Sequence, residues 1–172
     1  MKLKRWMLCL SAAALLILAD QLIKRWVAGQ KAAWLAQGGS PRIEGFIGLT
    51  YVENRGAAFG MLDTVWFARW FFVALAAVAS AGILWALVRN IFHSAPSDWA
   101  VALILGGAVG NGIDRAVAGY VVDYIEVLFV RFAIFNLADI CVVCGGVLLI
   151  ISTLITGLPE DKSDAVDADS PA

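Results

Sequence analysis

Histidine is almost absent from this chain, with one residue, His93, among 172. A two-histidine HExxH zinc site is thereby excluded, and the count argues against Ser-His-Asp and Cys-His mechanisms. Charge is scarce as well. Asp, Glu, Lys and Arg together make up 16%, where a soluble domain carries about a quarter. Neither sign dominates: 13 basic residues against 14 acidic ones leave no electrostatic footprint for nucleic acid. Cysteine numbers three, an odd count that implies no closed disulfide framework. Cys9 lies in an apolar run. Cys141 and Cys144 sit among Val142, Val143, Gly145 and Gly146, so they read as small apolar residues of a membrane helix rather than a redox or metal pair. No metal and no cofactor is expected. Whatever chemistry the chain performs falls to carboxylates.

What is abundant is apolar surface. Hydrophobic residues reach 61% and mean hydropathy is +0.81, more than a water-soluble core of this length can hide. Crossing a bilayer takes roughly 20 apolar residues per helix. Four stretches qualify, from about Trp6 to Trp26, Val65 to Val88, Trp99 to Ala118 and Ala133 to Thr156. The fold class expected is all-α and polytopic, four transmembrane helices forming one domain over residues 1–158. Lys2, Lys4 and Arg5 precede the first run as in a secretory signal, but no small-x-small cleavage site follows and Asp20 and Lys24 interrupt its end. It reads as a retained helix. Residues 159–172, rich in Asp, Ser, Pro and Ala, read as a disordered acidic tail.

Orientation is nearly balanced by lysine and arginine. Lys2, Lys4, Arg5, Arg89 and Lys162 lie on one side of the membrane, and Lys24, Arg25, Lys31, Arg42, Arg55 and Arg69 on the other. The compact N-terminal cluster beside the first span favours both termini in the cytoplasm. The connection at about 27–64 is long for a turn. Its alternation at Ile47, Leu49 and Tyr51 reads as a short strand or hairpin, and the apolar segment Gly56 to Leu62 is expected in the interface. Trp66, Phe67, Trp70, Phe71 and Phe72 form an aromatic belt that anchors the second span.

With four antiparallel spans, the polar residues converge on one membrane face whichever way the chain is oriented. Asp20 and Lys24 end the first span, Glu53, Asn54 and Arg55 lie in the long connection, and Asn111, Asp114 and Arg115 end the third. Asp123 is expected in the short loop that follows, with Asn136 and Asp139 in the first turns of the fourth. A helix starting at Ala133 would bury Asp139 by ~9 Å at 1.5 Å per residue. An ionised side chain at such depth costs at least ~2.5–3.5 kcal/mol and signals a functional site by default. Asp20 and Lys24, at i,i+4 spacing, also fit a structural ion pair. Ala102, Gly106, Gly110 and Asp114 share one helical stripe, with Gly107, Asn111 and Arg115 on the next, and such small residues let membrane helices approach closely.

Asp123 and Asp139 are the candidate catalytic pair. Two neighbouring carboxylates share a proton, so that one activates water while the other polarises a scissile carbonyl. Asp114 is the competitor, ranked second because adjacent Arg115 offers it a charge partner or a helix-linking role. A small transporter or proton pathway built on the same carboxylates is the alternative, although no internal repeat is visible and the polar set lies toward one face rather than the midplane. A non-catalytic assembly protein, whose buried polar groups only pair helices, is a third reading.

These motifs resemble the lipoprotein signal peptidases, also called signal peptidase II, of bacteria. The resemblance rests on Asp20-Gln21-Leu22-Ile23-Lys24, Asn54-Arg55-Gly56-Ala57-Ala58-Phe59, the run Gly107 to Arg115, Val121-Val122-Asp123 and Phe135-Asn136-Leu137-Ala138-Asp139. It implies an aspartic endopeptidase of the bacterial inner membrane that removes signal peptides from prolipoproteins, cutting before a diacylglyceryl-modified cysteine. It implies Asp123 and Asp139 as catalytic residues, and Asn54, Asn111, Arg115 and Asn136 lining the substrate site. Asp20, Lys24, Asp114 and Gly107 would support them. The long first connection would be a β-containing cradle on the periplasmic membrane surface. The partners implied are the prolipoprotein and membrane lipids, and a monomer is expected.

Overall fold

The computed structural model describes residues 2–56, 67–92 and 94–156, without the side chains of Lys2 and Thr156. Most of the apolar segment after Gly56, Trp66 of the aromatic belt, His93 and the acidic tail lie outside the described residues. Among the described residues four helices are long and apolar enough to cross a membrane: α1 (Lys2–Ala36), α2 (Ala68–Arg89), α3 (Ala95–Val117) and α4 (Leu137–Thr156). Their outer faces expose Leu15, Leu22, Leu75, Val78, Val147, Ile150 and Leu154. An apolar surface that broad suits lipid and not water.

Helix α3 is the hub, packing against α1, α2 and α4. Its small residues explain why. A Cβ at Gly106 would lie 2.9 Å from the Leu16 Cβ of α1, and one at Gly107 would fall on the Ala138 carbonyl oxygen of α4. The two stripes read from the sequence therefore face two different neighbours. Ser94 and Ser97 cap the N-terminus of α3 reciprocally, satisfying two of its free N–H groups. At that same end Arg5 donates to Asp98 (Nε to Oδ2, 2.8 Å), to Asn90 and to the Phe92 carbonyl. This ties the start of α1 to the α2–α3 connection.

The opposite end carries a small antiparallel sheet in the order β1 (Arg42–Ile43), β2 (Ile47–Asn54), β3 (Val121–Val127). Strand β2 covers the alternation seen at Ile47, Leu49 and Tyr51. Helices α1 and α3 each begin four residues before the expected start, at Lys2 and Ala95, and three further differences bear on the polar end. Helix α1 runs to Ala36 rather than Trp26, because Val27 and Trp34 pack with Tyr124 in a small core beneath the sheet. Asp123 sits not in a loop but in β3, where Val52 is its partner across the ladder. Helix α4 starts at Leu137 rather than Ala133, because Phe135 is extended and trades backbone hydrogen bonds with Ile125 (2.8 and 3.1 Å). Asp139 consequently lies in the first turn of α4, shallower than a helix beginning at Ala133 would set it.

Candidate active site

Strand alternation turns Asp123 inward, where it is 2% exposed. Its two carboxylate oxygens are held from different elements. Asn54 Nδ2, at the end of β2, donates to Oδ2 at 2.8 Å, and Asn136 Nδ2 donates to Oδ1 at 2.6 Å. A bulge in the β2–β3 register between Leu49 and Val52 sets the alignment that brings Asn54 to Asp123.

Asn136 precedes α4 and caps it. Its Oδ1 accepts from the Asp139 N–H at 3.0 Å, while its own N–H donates to Asp139 Oδ2 at 3.0 Å. This reciprocal box fixes the Asp139 rotamer by the same bonds that start the helix. Asn111 Nδ2, from α3, donates to Asp139 Oδ1 at 2.7 Å. The two carboxylates are thus hung from a frame of three asparagines, with Asn136 common to both.

Behind the frame lies Lys24, 3% exposed. Its Nζ is 2.7 Å from Asp20 Oδ2, 2.6 Å from Asp114 Oδ2, and donates to Asn111 Oδ1 at 2.9 Å. An ammonium only donates, so Lys24 holds the Asn111 oxygen toward itself and turns the amide N–H₂ to Asp139. A buried cation needs such compensation. Asp20 also accepts from the Ala138 N–H at 3.1 Å, anchoring α1 to the start of α4. A Cβ at Gly110 would lie 2.8 Å from Asp20 Oδ2, so glycine there leaves room for the carboxylate.

Burial pushes the Asp123 carboxyl up to about 6; the Asn54 hydrogen bond opposes the rise and the nearby charge of Asp139 adds to it. Asp123 is therefore a group whose proton is available near neutral pH. A carboxylate oxygen has a second lone pair beyond the one its asparagine uses, which leaves both groups able to bind a shared proton or a water.

The candidates named from the sequence separate into three sets. Asn54, Asn111, Asp123, Asn136 and Asp139 meet directly. Asp20, Lys24 and Asp114 form a buried ion cluster one bond behind them. Arg115 and Gly107 belong to neither network. Arg115 donates to the Gly56 carbonyl at 2.8 Å and lies over the Phe72 ring, and Gly107 marks the α3–α4 contact. Of the two roles expected for Asp114, the helix-linking one is seen and the Arg115 partner is corrected: Asp114 joins α3 to α1 through Lys24 and Gln21 Nε2 at 2.8 Å, because successive residues leave a helix about 100° apart. Two residues were given no role from the sequence. Gln21 could have been found by its place one turn from Lys24 and on the face toward α3. Tyr124, whose hydroxyl accepts from the Leu137 N–H at 3.2 Å, carries no local signal beyond following Asp123.

The family model described as signal peptidase (SPase) II matches residues 12–155. A lipoprotein signal peptidase of Symbiobacterium thermophilum is 41% identical over 151 residues, covering 87% of this chain and 95% of the relative. One from Brevibacillus brevis is 38% identical over 146 residues, covering 84% and 93%. Among solved structures, a bacterial membrane enzyme determined by the in meso method at 1.9 Å superimposes with a TM-score of 0.72 at 28% identity, covering 85% of this chain and 92% of that one. A second, at 2.3 Å, shares the fold with a TM-score of 0.69 at 24% identity.

Proposed function

The chain belongs to the signal peptidase II family of membrane peptidases, and from that premise we propose that Asp123 and Asp139 hydrolyse a prolipoprotein just before its diacylglyceryl-modified cysteine. The ionised partner takes a proton from a water, whose oxygen attacks the scissile carbonyl. The protonated partner donates to the carbonyl oxygen as it gains charge. Collapse of the tetrahedral intermediate returns a proton to the leaving amine and restores the one-proton dyad.

The observation that carries this reading is the shared asparagine. Asn136 bonds to Asp123 through its side chain and to Asp139 through its backbone, so the two carboxylates approach in a fixed geometry despite coming from a strand and a helix. Preorganisation of this kind is what a general acid–base pair needs. It also bears on the three asparagines, which the resemblance placed along the substrate. Each spends an amide N–H on a carboxylate, so they act first by holding the dyad. Arg115, which among the described residues donates to the Gly56 carbonyl and lies over the Phe72 ring, is better placed to meet the peptide.

The domain is taken as residues 1–158 with the tail outside it, both termini in the cytoplasm and the dyad toward the periplasm. A substrate anchored by its lipid presents its cysteine near the headgroups, at the level of the sheet and the first turn of α4. Purified protein incubated with a diacylglyceryl-modified prolipoprotein should release the signal peptide and leave a product whose mass begins at the lipidated cysteine. An unchanged substrate mass, with proton flux in proteoliposomes instead, would favour the carboxylate-pathway alternative.

A further inference from the structure

The basic residues on the sheet side of the membrane are more than the dyad uses. Lys31 and Arg42 are two of them, and they line one cavity of about 470 Å³ together with Trp34, Ser40, Thr50 and Tyr51. The cavity lies between the end of α1, the turn after it and strand β2. Its lining contains no acidic residue. Lys31 has one carboxylate contact, Glu53 at 3.3 Å, and otherwise sits over the Tyr51 ring. Arg42 is exposed and is in no ion pair among the described residues.

Depth gives the cavity its meaning. The apolar helix Leu3–Ala36 is 34 residues long, or ~50 Å at 1.5 Å per residue, against ~30 Å of hydrocarbon and ~40–45 Å with headgroups. Trp26, half exposed to the outside, is the kind of side chain that marks the interface. Lys31 and Trp34 follow it by one and two turns, which sets them ~8–12 Å farther along the helix, in the phosphate layer. Cations with amphipathic aromatics at that level match a lipid phosphate better than a soluble solute. The volume also suits a small polar group.

We propose that this cavity binds the phosphodiester of an anionic phospholipid in the leaflet into which α1 projects, with Lys31 and Arg42 taking the phosphate and Trp34 and Tyr51 flanking the glycerol. The inference needs neither the dyad nor the orientation of the chain. It gives a role to two of the six basic residues, Lys31 and Arg42, that leave the positive-inside count nearly even. Strand β2 carries both Tyr51 at the cavity and Asn54 at Asp123, so an occupied cavity steadies the strand that holds one carboxylate.

The test is native mass spectrometry of the full-length protein with phosphatidylglycerol and phosphatidylcholine in parallel. Phosphatidylglycerol should be retained roughly tenfold or more over phosphatidylcholine, since two basic residues at an anionic headgroup act together. Lys31→Gln with Arg42→Gln should abolish the preference, and Arg42→Gln alone, the milder variant, should weaken it. Arg25→Gln with Arg89→Gln removes the same charge elsewhere and should preserve it. Glycerophosphoglycerol, the headgroup without chains, should not displace the lipid at equal concentration. Equal retention of the two lipids, an unchanged preference in both cavity variants, an equal loss in the control pair, or displacement by the bare headgroup would each overturn the proposal.

Discussion

Asn136 donates its side-chain amide to Asp123 at 2.6 Å. It sits at the one position where strand, extended segment and helix meet, and its other polar groups cap α4 through Asp139. The hold on Asp123 and the capping of α4 are therefore carried by the same residue, and substitutions can separate them.

Asn136→Ala should lose both, and Asn136→Ser only one. A serine can cap a helix but is too short to reach Asp123. Thermal unfolding in detergent should fall for alanine by ~1 kcal/mol, the usual loss of a cap, and recover for serine. Cleavage should drop ~10–100-fold in both, because a hydrogen bond to a charged group is worth ~1.5–3 kcal/mol. Full activity in the serine variant would show that the Asn136–Asp123 bond has no part in the reaction.

Asp123→Asn and Asp139→Asn keep the size of the side chain and remove its titratable proton. Each should lower cleavage by ~10²–10⁴ in a protein that still inserts and purifies, and the double variant should be scarcely worse than either, as for members of one catalytic unit. Asp114→Asn, which weakens the Lys24 cluster, should show itself first as lost stability. A folded, inactive Asp114→Asn beside an active dyad variant would reassign the pair.

The raised Asp123 carboxyl has a pH signature. Its pKa is about 6 in the folded protein against 3.8 for the free group, so the folded state binds the proton more tightly. This contribution to stability is full below about pH 4 and is lost as pH rises through about 6. Asp123→Asn cannot titrate. The melting temperature of the native protein minus that of this variant should decline between about pH 4 and 6, and a difference that rises or stays flat there would contradict the burial argument.

Gly107→Ala puts a methyl onto the Ala138 carbonyl and 2.7 Å from Val142 Cγ2. Overpacking of this kind costs ~1–3 kcal/mol and should also displace the first turn of α4, so thermal stability and cleavage should fall together. Gly146→Ala meets nothing within 4 Å and should leave both unchanged. A tolerant Gly107 would mean that α3 and α4 separate more easily than their close approach implies.

For the orientation, single cysteines at Gln37 and Ala118 in a Cys-free background should react with an impermeant thiol reagent from the periplasmic side, and one at Ser94 should not. The reverse pattern would invert the chain while leaving its polar residues on one face.

Much of this architecture is local information. Four apolar windows are sums over some twenty residues, so hydropathy locates them even though their ends shift, and antiparallel threading then puts Asp20, Lys24, Asn111, Asp123, Asn136 and Asp139 at one end. The i,i+4 spacing of Asp20 and Lys24 was enough to anticipate their ion pair. The helix ends were harder to read. Val27 to Ala36 continues as helix and Ala133 to Asn136 does not, because Tyr124 and Ile125 of β3 supply packing to one segment and backbone hydrogen bonds to the other, and those partners are remote in sequence.

The amino-acid sequence by itself determined that the chain spans a bilayer four times, that Asp20, Lys24, Asn111, Asp114, Asp123, Asn136 and Asp139 gather at one end, and that carboxylates and not histidines are available for chemistry. Composition and periodicity suffice for that, because the transfer of apolar side chains into lipid depends on each segment alone. Only the tertiary structure decided who bonds to whom: Asp114 with Lys24 and Gln21 instead of Arg115, Asn111 turned toward Asp139 by Lys24, Asp123 in a strand and held from both sides by Asn54 and Asn136. Hydrogen bonds are made or lost within a few tenths of an ångström, and such distances follow from how the helices rotate and pack around the glycines of α3, which no single segment specifies.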